Sequence, residues 1–344
     1  MTGRAIGVLG TVLDRSSYAV APTVVAVGLF IANAVVQPSF IDSSNWASTL
    51  AVSSPFVLTA LAQAPPLLSG NGGLDLSVGP FAGFITVFVA AVLVPAGLGA
   101  PEVLIPLVIG FGLAAGGVNG VLIAYVRLPP IIATLGTYLF YSGISTYVLP
   151  SPGGVVPAWL IKLDGSYGPV PGIWIVFAVV TAGWMLLSRT AFLRNLLAVG
   201  GDERAAYTAG MNTAMVKLWA YALAGMLAAL AGLLLAGVIQ SGDATIGPGY
   251  TLTSIAAVAL GGISLAGGRG GLLGAAMGGA VLYLVQNLLT VAHVSVFQLD
   301  IADGLLLIAA LALNGALERL RKRGGGSGAH RVIAEATVAV AGSL

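Results

Sequence analysis

The sequence contains no cysteine and only two histidines, His293 and His330. Disulfides, thiolate metal sites and cysteine nucleophiles are thereby excluded, and two imidazoles in different regions cannot build a histidine metal cluster. Charge is nearly as scarce. Asp, Glu, Lys and Arg make up 8% of the 344 residues, against about 25% in ordinary soluble domains. With 58% of the chain hydrophobic, a soluble globular protein is excluded. The formal net charge of +2 carries no signal for nucleic acid. The motifs of chemistry are missing too. There is no phosphate-cradling Gly-x4-Gly-Lys-Ser/Thr loop, no nucleophile elbow and no His-Glu-x-x-His. The run Gly267-Gly268-Arg269-Gly270-Gly271 follows no strand and is no dinucleotide fingerprint. Enzymatic activity in this chain alone is not expected, nor is any cofactor or metal of its own.

What is present is a succession of apolar runs. Read as spans, they number about ten, near Tyr18–Val36, Ala47–Leu68, Pro80–Leu98, Val103–Val126, Ile131–Leu149, Gly172–Leu187, Val216–Ile239, Tyr250–Ser264, Leu272–Ala292 and Val296–Leu317. With the N-terminus placed in the cytoplasm and the spans alternating, Arg4, Arg15, Arg127, Arg189, Arg194, Arg204, Lys217, Arg269, Arg319, Arg321, Lys322, Arg323 and Arg331 all fall inside. Only Lys162 falls outside. A bias of Lys and Arg to the cytoplasmic loops orients helices during insertion, and a wrong span count would scatter it. The expected fold is all-α, a polytopic membrane protein with both termini cytoplasmic. Residues 1–17 form a cytoplasmic N-terminal segment, 18–323 the membrane domain with a long cytoplasmic loop at 188–213, and 324–344 a glycine-rich flexible tail. Ala32-Asn33-Ala34 also has the shape of a signal-peptidase site, but the long apolar run and extended leader favour an uncleaved first span. Tyr18, Trp46, Trp159, Trp174 and Trp219 stand near span ends as interface anchors, and Arg269 as a topology anchor.

Two stretches break the spanning pattern. Gly70–Pro80 carries Gly72, Gly73 and Gly79, and the region around the eighth span carries Gly247, Gly249, Gly261 and Gly262. They occupy corresponding positions in the two halves of the chain. Glycine serves close helix packing or tight turns, but paired interruptions at membrane depth also point to a substrate route, because unwound backbone is tolerated there only when buried or lining a cavity. The candidate pathway residues are Asp75, Ser77, Asn119, Thr134, Thr137, Tyr250 and Thr253. The competing role for each is interhelical hydrogen bonding, and Asp75 has the further option of capping the third span. Asp300 and Asp303 share a helix face near the outer end of the last span, where solvated mouth residues are the simpler reading.

The 188–213 loop contains a short helix signal. Asp202 is a good N-cap, Glu203 suits the positive end of the dipole, and Gly210 is placed to terminate in the left-handed conformation. Two turns are too short to be stable alone, so the helix needs its own bundle or a soluble partner. The loop from Pro150 to Pro171, with five prolines, is expected to lie across the outer face.

Several separated motifs resemble those of permease subunits of ribose-type monosaccharide ABC importers. Gly72-Gly73-Leu74-Asp75-Leu76-Ser77-Val78-Gly79 is similar to that family's Gly-Gly-Ile-Asp-Leu-Ser-Val-Gly. Asn119-Gly120 and Pro129-Pro130-Ile131-Ile132-Ala133-Thr134-Leu135-Gly136-Thr137 resemble its Pro-Pro-Phe-Ile-Ala-Thr-Leu-Gly-Thr region, and Gly200–Ala206 with Gly210 its Gly-Gly-Asn-Glu-Glu-Ala-Ala segment. Gly249-Tyr250, Ala256–Val258, Gly261-Gly262, Ser264-Leu265 and Gly267–Gly270 complete the set, although Thr251-Leu252-Thr253 stands where the family often has an acid. The resemblance implies that Asp202, Glu203, Arg204, Ala205, Ala206, Gly210 and Met211 couple to a separate ATPase subunit that binds ATP and Mg. It also implies a second permease chain, identical or not, a periplasmic or lipid-anchored sugar-binding protein, a small sugar as substrate, and a place in the bacterial inner membrane with no nucleic-acid partner. Nucleoside and branched-chain amino acid permeases of the wider superfamily are the nearest alternative. A proton-coupled secondary transporter using Asp75, Asp300 or Asp303 is the alternative of a different class.

Overall fold

The structure, a computed structural model, describes residues 2–312 except 164, 168–169, 296–297, 300, 303 and 311. The expectations for the tail 324–344, Asp300 and Asp303 lie outside the described residues, as does part of the last expected span, of which 304–310 are helical. Helix α1 (Thr2–Val36) is followed by a 3-10 turn, Pro38–Ile41, and by α2 (Trp46–Leu68). Next come α3 (Val78–Val87), which runs into a π-helical turn at Phe88–Leu93, then α4 (Pro101–Ala124) and α5 (Pro130–Val148). The proline-rich loop folds into α6 (Ala158–Leu163) and a two-strand antiparallel pair, β1 (Ser166–Tyr167) and β2 (Val170–Pro171). Helices α7 (Ile173–Ser188), α8 (Ala191–Gly201), α9 (Glu203–Thr208), α10 (Thr213–Ile239), α11 (Gly247–Leu260) and α12 (Leu272–Val291) follow.

Every expected span up to Leu272–Ala292 coincides with a helix, though not all of them are equally long. Among the described residues, five helical stretches, Ala19–Val36, α2, α4, α10 and α12, are long and apolar enough to cross a bilayer. The α7–α8 pair would make a sixth, bent by 76°. Helix α3 falls short because it is not a lipid-facing span: all ten of its residues are buried inside the bundle, so its length need not match the hydrocarbon thickness. Helix α8 is an addition to what was expected of the 188–213 loop. It buries Leu196, Val199 and Gly200 and exposes Arg194, the pattern of a helix lying along an interface.

Helix α10 is the hub, packed against α2, α3 and α4. Its approach to α4 is backbone to backbone. Gly112, Gly116 and Gly120 form one face of α4, and a methyl group on Gly225 of α10 would come within 2.6 Å of Gly116 N. Small residues at this spacing let helices associate by close van der Waals contact where lipid supplies no hydrophobic force. Helix α1 belongs to the same bundle. Its buried Asn33 donates from Nδ2 to Leu284 O of α12 at 3.1 Å and accepts from Asn287 Nδ2 at 2.8 Å.

The bundle has two distinct ends. One carries α9, the turn after α2 and the α4–α5 turn. The other carries α6, the end of α10 and the proline-rich loop, whose Gly153 bridges Gly242. There Trp159 Nε1 donates to Gly99 O at 2.8 Å.

Candidate functional site

The chain leaves α2 through three successive left-handed residues, Gly70 (φ 85°), Asn71 (φ 53°) and Gly72 (φ 64°). This reverses its direction and sends Leu74–Ser77 back into the protein as unwound backbone. Gln63 holds that strand in place: its Nε2 donates to Asp75 O at 3.0 Å, and its Oε1 accepts from Asp75 N at 3.2 Å. Asp75 Oδ1 then accepts from Ser77 N at 2.9 Å and from Ser77 Oγ at 2.6 Å, which fixes the start of α3. The hydrogen-bond chain continues between elements. Asn119 Nδ2 of α4 donates to Ser77 Oγ at 2.9 Å, and Thr137 Oγ1 of α5 donates to Asn119 Oδ1 at 2.9 Å. Thr134 Oγ1 donates to Pro130 O at 2.9 Å and reaches Leu74 O at 3.4 Å.

Asp75, Ser77, Asn119, Thr134 and Thr137 are therefore assembled into one network, and the first four are buried. Asp75 holds Ser77, the N-cap of α3, and lines a cavity of about 10 Å3, with Ser77, Phe81, Gly116, Tyr141 and Gly225. That volume is roughly one water molecule, so the protein is closed at this level. Tyr250 and Thr253 have other neighbours. The Tyr250 ring packs on Phe56 at 5.2 Å, and Thr253 Oγ1 donates to Gly249 O of its own helix at 2.9 Å. From α11, Thr251 Oγ1 donates to Leu76 O of the first broken segment at 3.3 Å.

Above the cavity stands an aromatic column that sequence reasoning missed. Phe81, Phe84 and Phe88 follow one another along α3 and its π-helical turn, against Phe111 of α4 and Tyr141 of α5. Centroid separations include 4.8 Å for Phe81–Tyr141 and 5.3 Å for Phe88–Phe111. The available signal was the i, i+3, i+7 spacing of the phenylalanines, which marks one helix face.

The two broken segments pack on each other. A methyl on Gly79 would lie 2.5 Å from Gly247 O, and one on Gly247 would lie 2.6 Å from Gly79 O. Gly73 lies against Pro66 O, and Gly261 against Gly274 O, each too close for a Cβ. Gly262 takes a left-handed turn with φ 74°. Gly249 has open space around it and no such constraint.

The α9 helix forms as its end signals predict. Asp202 Oδ1 accepts from Ala205 N at 3.0 Å. At the other end Gly210 is left-handed (φ 83°), Gly210 N donates to Tyr207 O at 2.9 Å, and Met211 N donates to Ala206 O at 3.1 Å. Ala206 is buried, while Arg204, Ala205 and Tyr207 are exposed, Tyr207 at 71%. Glu203 is turned inward. Its Oε1 pairs with Lys217 Nζ of α10 at 2.6 Å, and its Oε2 accepts a short hydrogen bond from Asn71 Nδ2. Behind α9, two glycine turns interlock with Gly200 near the end of α8. A methyl on Gly70 would meet Gly200 Cα at 2.8 Å, one on Gly267 would meet Gly70 N at 2.8 Å, and Gly268 N donates to Leu68 O at 3.2 Å. The segment leading into α9 thus touches the entrance of the first broken segment and the exit of the second.

This arrangement can be set beside known proteins. The family model for the permease component of branched-chain amino acid transport systems matches residues 45–312. The chain belongs to that permease family. The autoinducer 2 import system permease protein LsrC of Escherichia coli O9:H4 (strain HS) is 34% identical over 301 residues, covering 84% of this permease and 86% of the relative. The ribose import permease protein RbsC of Bacillus subtilis (strain 168) is 34% identical over 303 residues, covering 83% and 90%. LsrC of Yersinia enterocolitica is 33% identical over 298 residues. No solved structure matches. The permease is a multi-pass membrane protein whose matched region contains both broken segments and α9.

Proposed function

We propose that this permease is the membrane subunit of an ATP-driven importer that moves a monosaccharide or close relative across the bacterial inner membrane. The names of its relatives, import permeases for ribose and for autoinducer 2, support that solute class. The observation that carries the mechanism is the interlock behind α9. Helix α9 offers Arg204, Ala205 and Tyr207 outward, and Gly200, near the end of α8 just before it, lies against both Gly70 and Gly268.

In this reading the ATPase subunit, which holds ATP and Mg, binds the exposed face of α9 in the cytoplasm. A displacement of α9 passes through the glycine turns into both broken segments at once, and these meet at Gly79 and Gly247. The Asp75–Ser77–Asn119–Thr137 chain ties the first segment to α4 and α5, so the same displacement alters the closed cavity. Bistable packed elements convert small shifts at one site into opening at another. The binding protein delivers solute at the α6 end, by the Gly153–Gly242 bridge. A second permease chain completes the route. The distribution of cations supports this orientation: Arg127, Arg204 and Lys217 line one cleft at the α9 end, whereas Lys162 sits on α6.

The test is uptake of labelled ribose, galactose and leucine by cells lacking this chain, with and without its restoration. Restored sugar uptake that survives an uncoupler but stops on ATP depletion supports the proposal. Restored leucine uptake would move the solute to the amino acid class, and loss of uptake with the uncoupler alone would favour proton coupling.

A further inference from the structure

Along α10, Lys217, Tyr221 and Gly225 recur every four residues and so share one helix face. The two outer members have known neighbours. Lys217 pairs with Glu203 of α9, and Gly225 lines the closed cavity beside Asp75. Tyr221 lies between them, about 6 Å along the helix from each. Its backbone carbonyl presses on Gly116, another cavity residue, where no Cβ would fit. The Tyr221 side chain is buried, at 1% exposure, and packs with Leu122 and Ile123 of α4 and Ala133 of α5. The ring therefore fills the space between α4, α5 and α10 on the α9 side of the cavity.

The hydroxyl carries the second observation. Among the described residues, Tyr221 Oη is buried with no hydrogen-bond partner. Phenylalanine would fill the same space without that cost. A buried polar atom left single in the closed protein points to a partner that it meets in another state. The Asp75 carboxylate lies within electrostatic reach of this hydroxyl, as it does of Tyr141 in the cavity wall. A phenol donor near a carboxylate acceptor matches a sugar hydroxyl, which accepts from the one and donates to the other. We infer that Tyr221 is the inner gate of the solute route: its ring closes the Asp75 cavity on the α9 side, and its hydroxyl donates to a solute hydroxyl as the ring gives way. The Glu203–Lys217 pair supplies the link to the motor, because a shift of α9 pulls on α10 one turn from the ring. The gate extends the transport reading above, and the role of the hydroxyl rests on a sugar as solute.

The test combines side-specific labelling with transport. In this cysteine-free chain, Ala115→Cys places a single thiol in the cavity wall. Inside-out vesicles carrying the whole importer, without ATP, are treated with a membrane-impermeant methanethiosulfonate that reaches only the α9 side. Modification of the thiol should be equally slow with Tyr221 and with Tyr221→Phe, and at least about tenfold faster with Tyr221→Ala. In right-side-out vesicles the three rates should agree, which general loosening of the bundle would not give. Tyr221→Phe should unfold no earlier than wild type, yet lower kcat/KM for ribose uptake about tenfold, the loss of one hydrogen bond. Labelling of Tyr221→Ala that is no faster from the α9 side, or faster from both sides, overturns the gate. Wild-type ribose uptake by Tyr221→Phe overturns the role of the hydroxyl. The expected labelling in an importer that moves no ribose would support the gate and overturn the sugar reading instead.

Discussion

Gly200→Ala tests the interlock with a single methyl group. The added Cβ would lie 2.6 Å from Gly268 N and closer still to the Leu68 carbonyl oxygen. Both neighbours are backbone atoms, so no side chain can rotate aside. Ordinary contact begins at 3.4 Å, so the Gly268 backbone must retreat by about 0.8 Å and the Leu68 backbone by more, at an overpacking cost at the upper end of about 1–3 kcal/mol. The contact lies at the last residue of α2, away from the glycine-mediated α4–α10 packing, so the variant should still insert and accumulate. What it should lose is the transfer of motion from α9 to the broken segments. The adjacent Gly201 provides the control, since a methyl there meets nothing within 4 Å, and alanine would slightly favour the helix. In vesicles of the whole importer, sugar moved per ATP hydrolysed should fall about tenfold or more in Gly200→Ala and stay near wild type in Gly201→Ala. Equal behaviour of the two variants would refute the reasoning.

Lys217→Met strands the half-buried Glu203 carboxylate and should destabilise the chain by about 1–3 kcal/mol, between the values for exposed and buried pairs. The exchange Glu203→Lys with Lys217→Glu should recover part of that loss in a thermal unfolding assay. Asn119→Ala removes the link between Ser77 and Thr137, and about 1–2 kcal/mol of stability should go with it, together with most uptake; full uptake would make the network dispensable. Gly116→Val forces α4 away from α10, where a Cβ already meets Gly225 N at 2.9 Å, and should abolish accumulation of the protein on an immunoblot. Phe88→Ala opens the aromatic column without touching the α9 end, so it should alter the KM for solute while ATP turnover stays coupled.

Much of this molecule was legible in one dimension. Apolar runs long enough to span a bilayer read directly as α1, α2, α4, α10 and α12, because lipid imposes length and composition on each. Helix α9 was legible from its ends alone, since Asp202 and Gly210 solve local backbone problems. The 188–213 loop was only half legible. Helix α8 mixes Arg194 and Asn195 with leucines, so its amphipathic pattern is lost in a hydropathy reading. Pairings across the chain left no local trace. Glu203 was expected to face a partner, yet it is held inward by Asn71, 132 residues away, and by Lys217. The pathway candidates separated for the same reason. Asp75, Ser77, Asn119, Thr134 and Thr137 converge, whereas Tyr250 joins Phe56, and no spacing rule distinguishes the two groups.

The absence of cysteine makes the decisive measurement clean. Single cysteines at Tyr207 or Ala205 on α9, and at the exposed Val155 near the α6 end, can each be cross-linked in native membranes and the captured protein identified. An ATPase should be captured from Tyr207→Cys and Ala205→Cys and none from Val155→Cys. Capture of the ATPase from Val155→Cys, or from neither α9 position, would contradict the coupling role of α9.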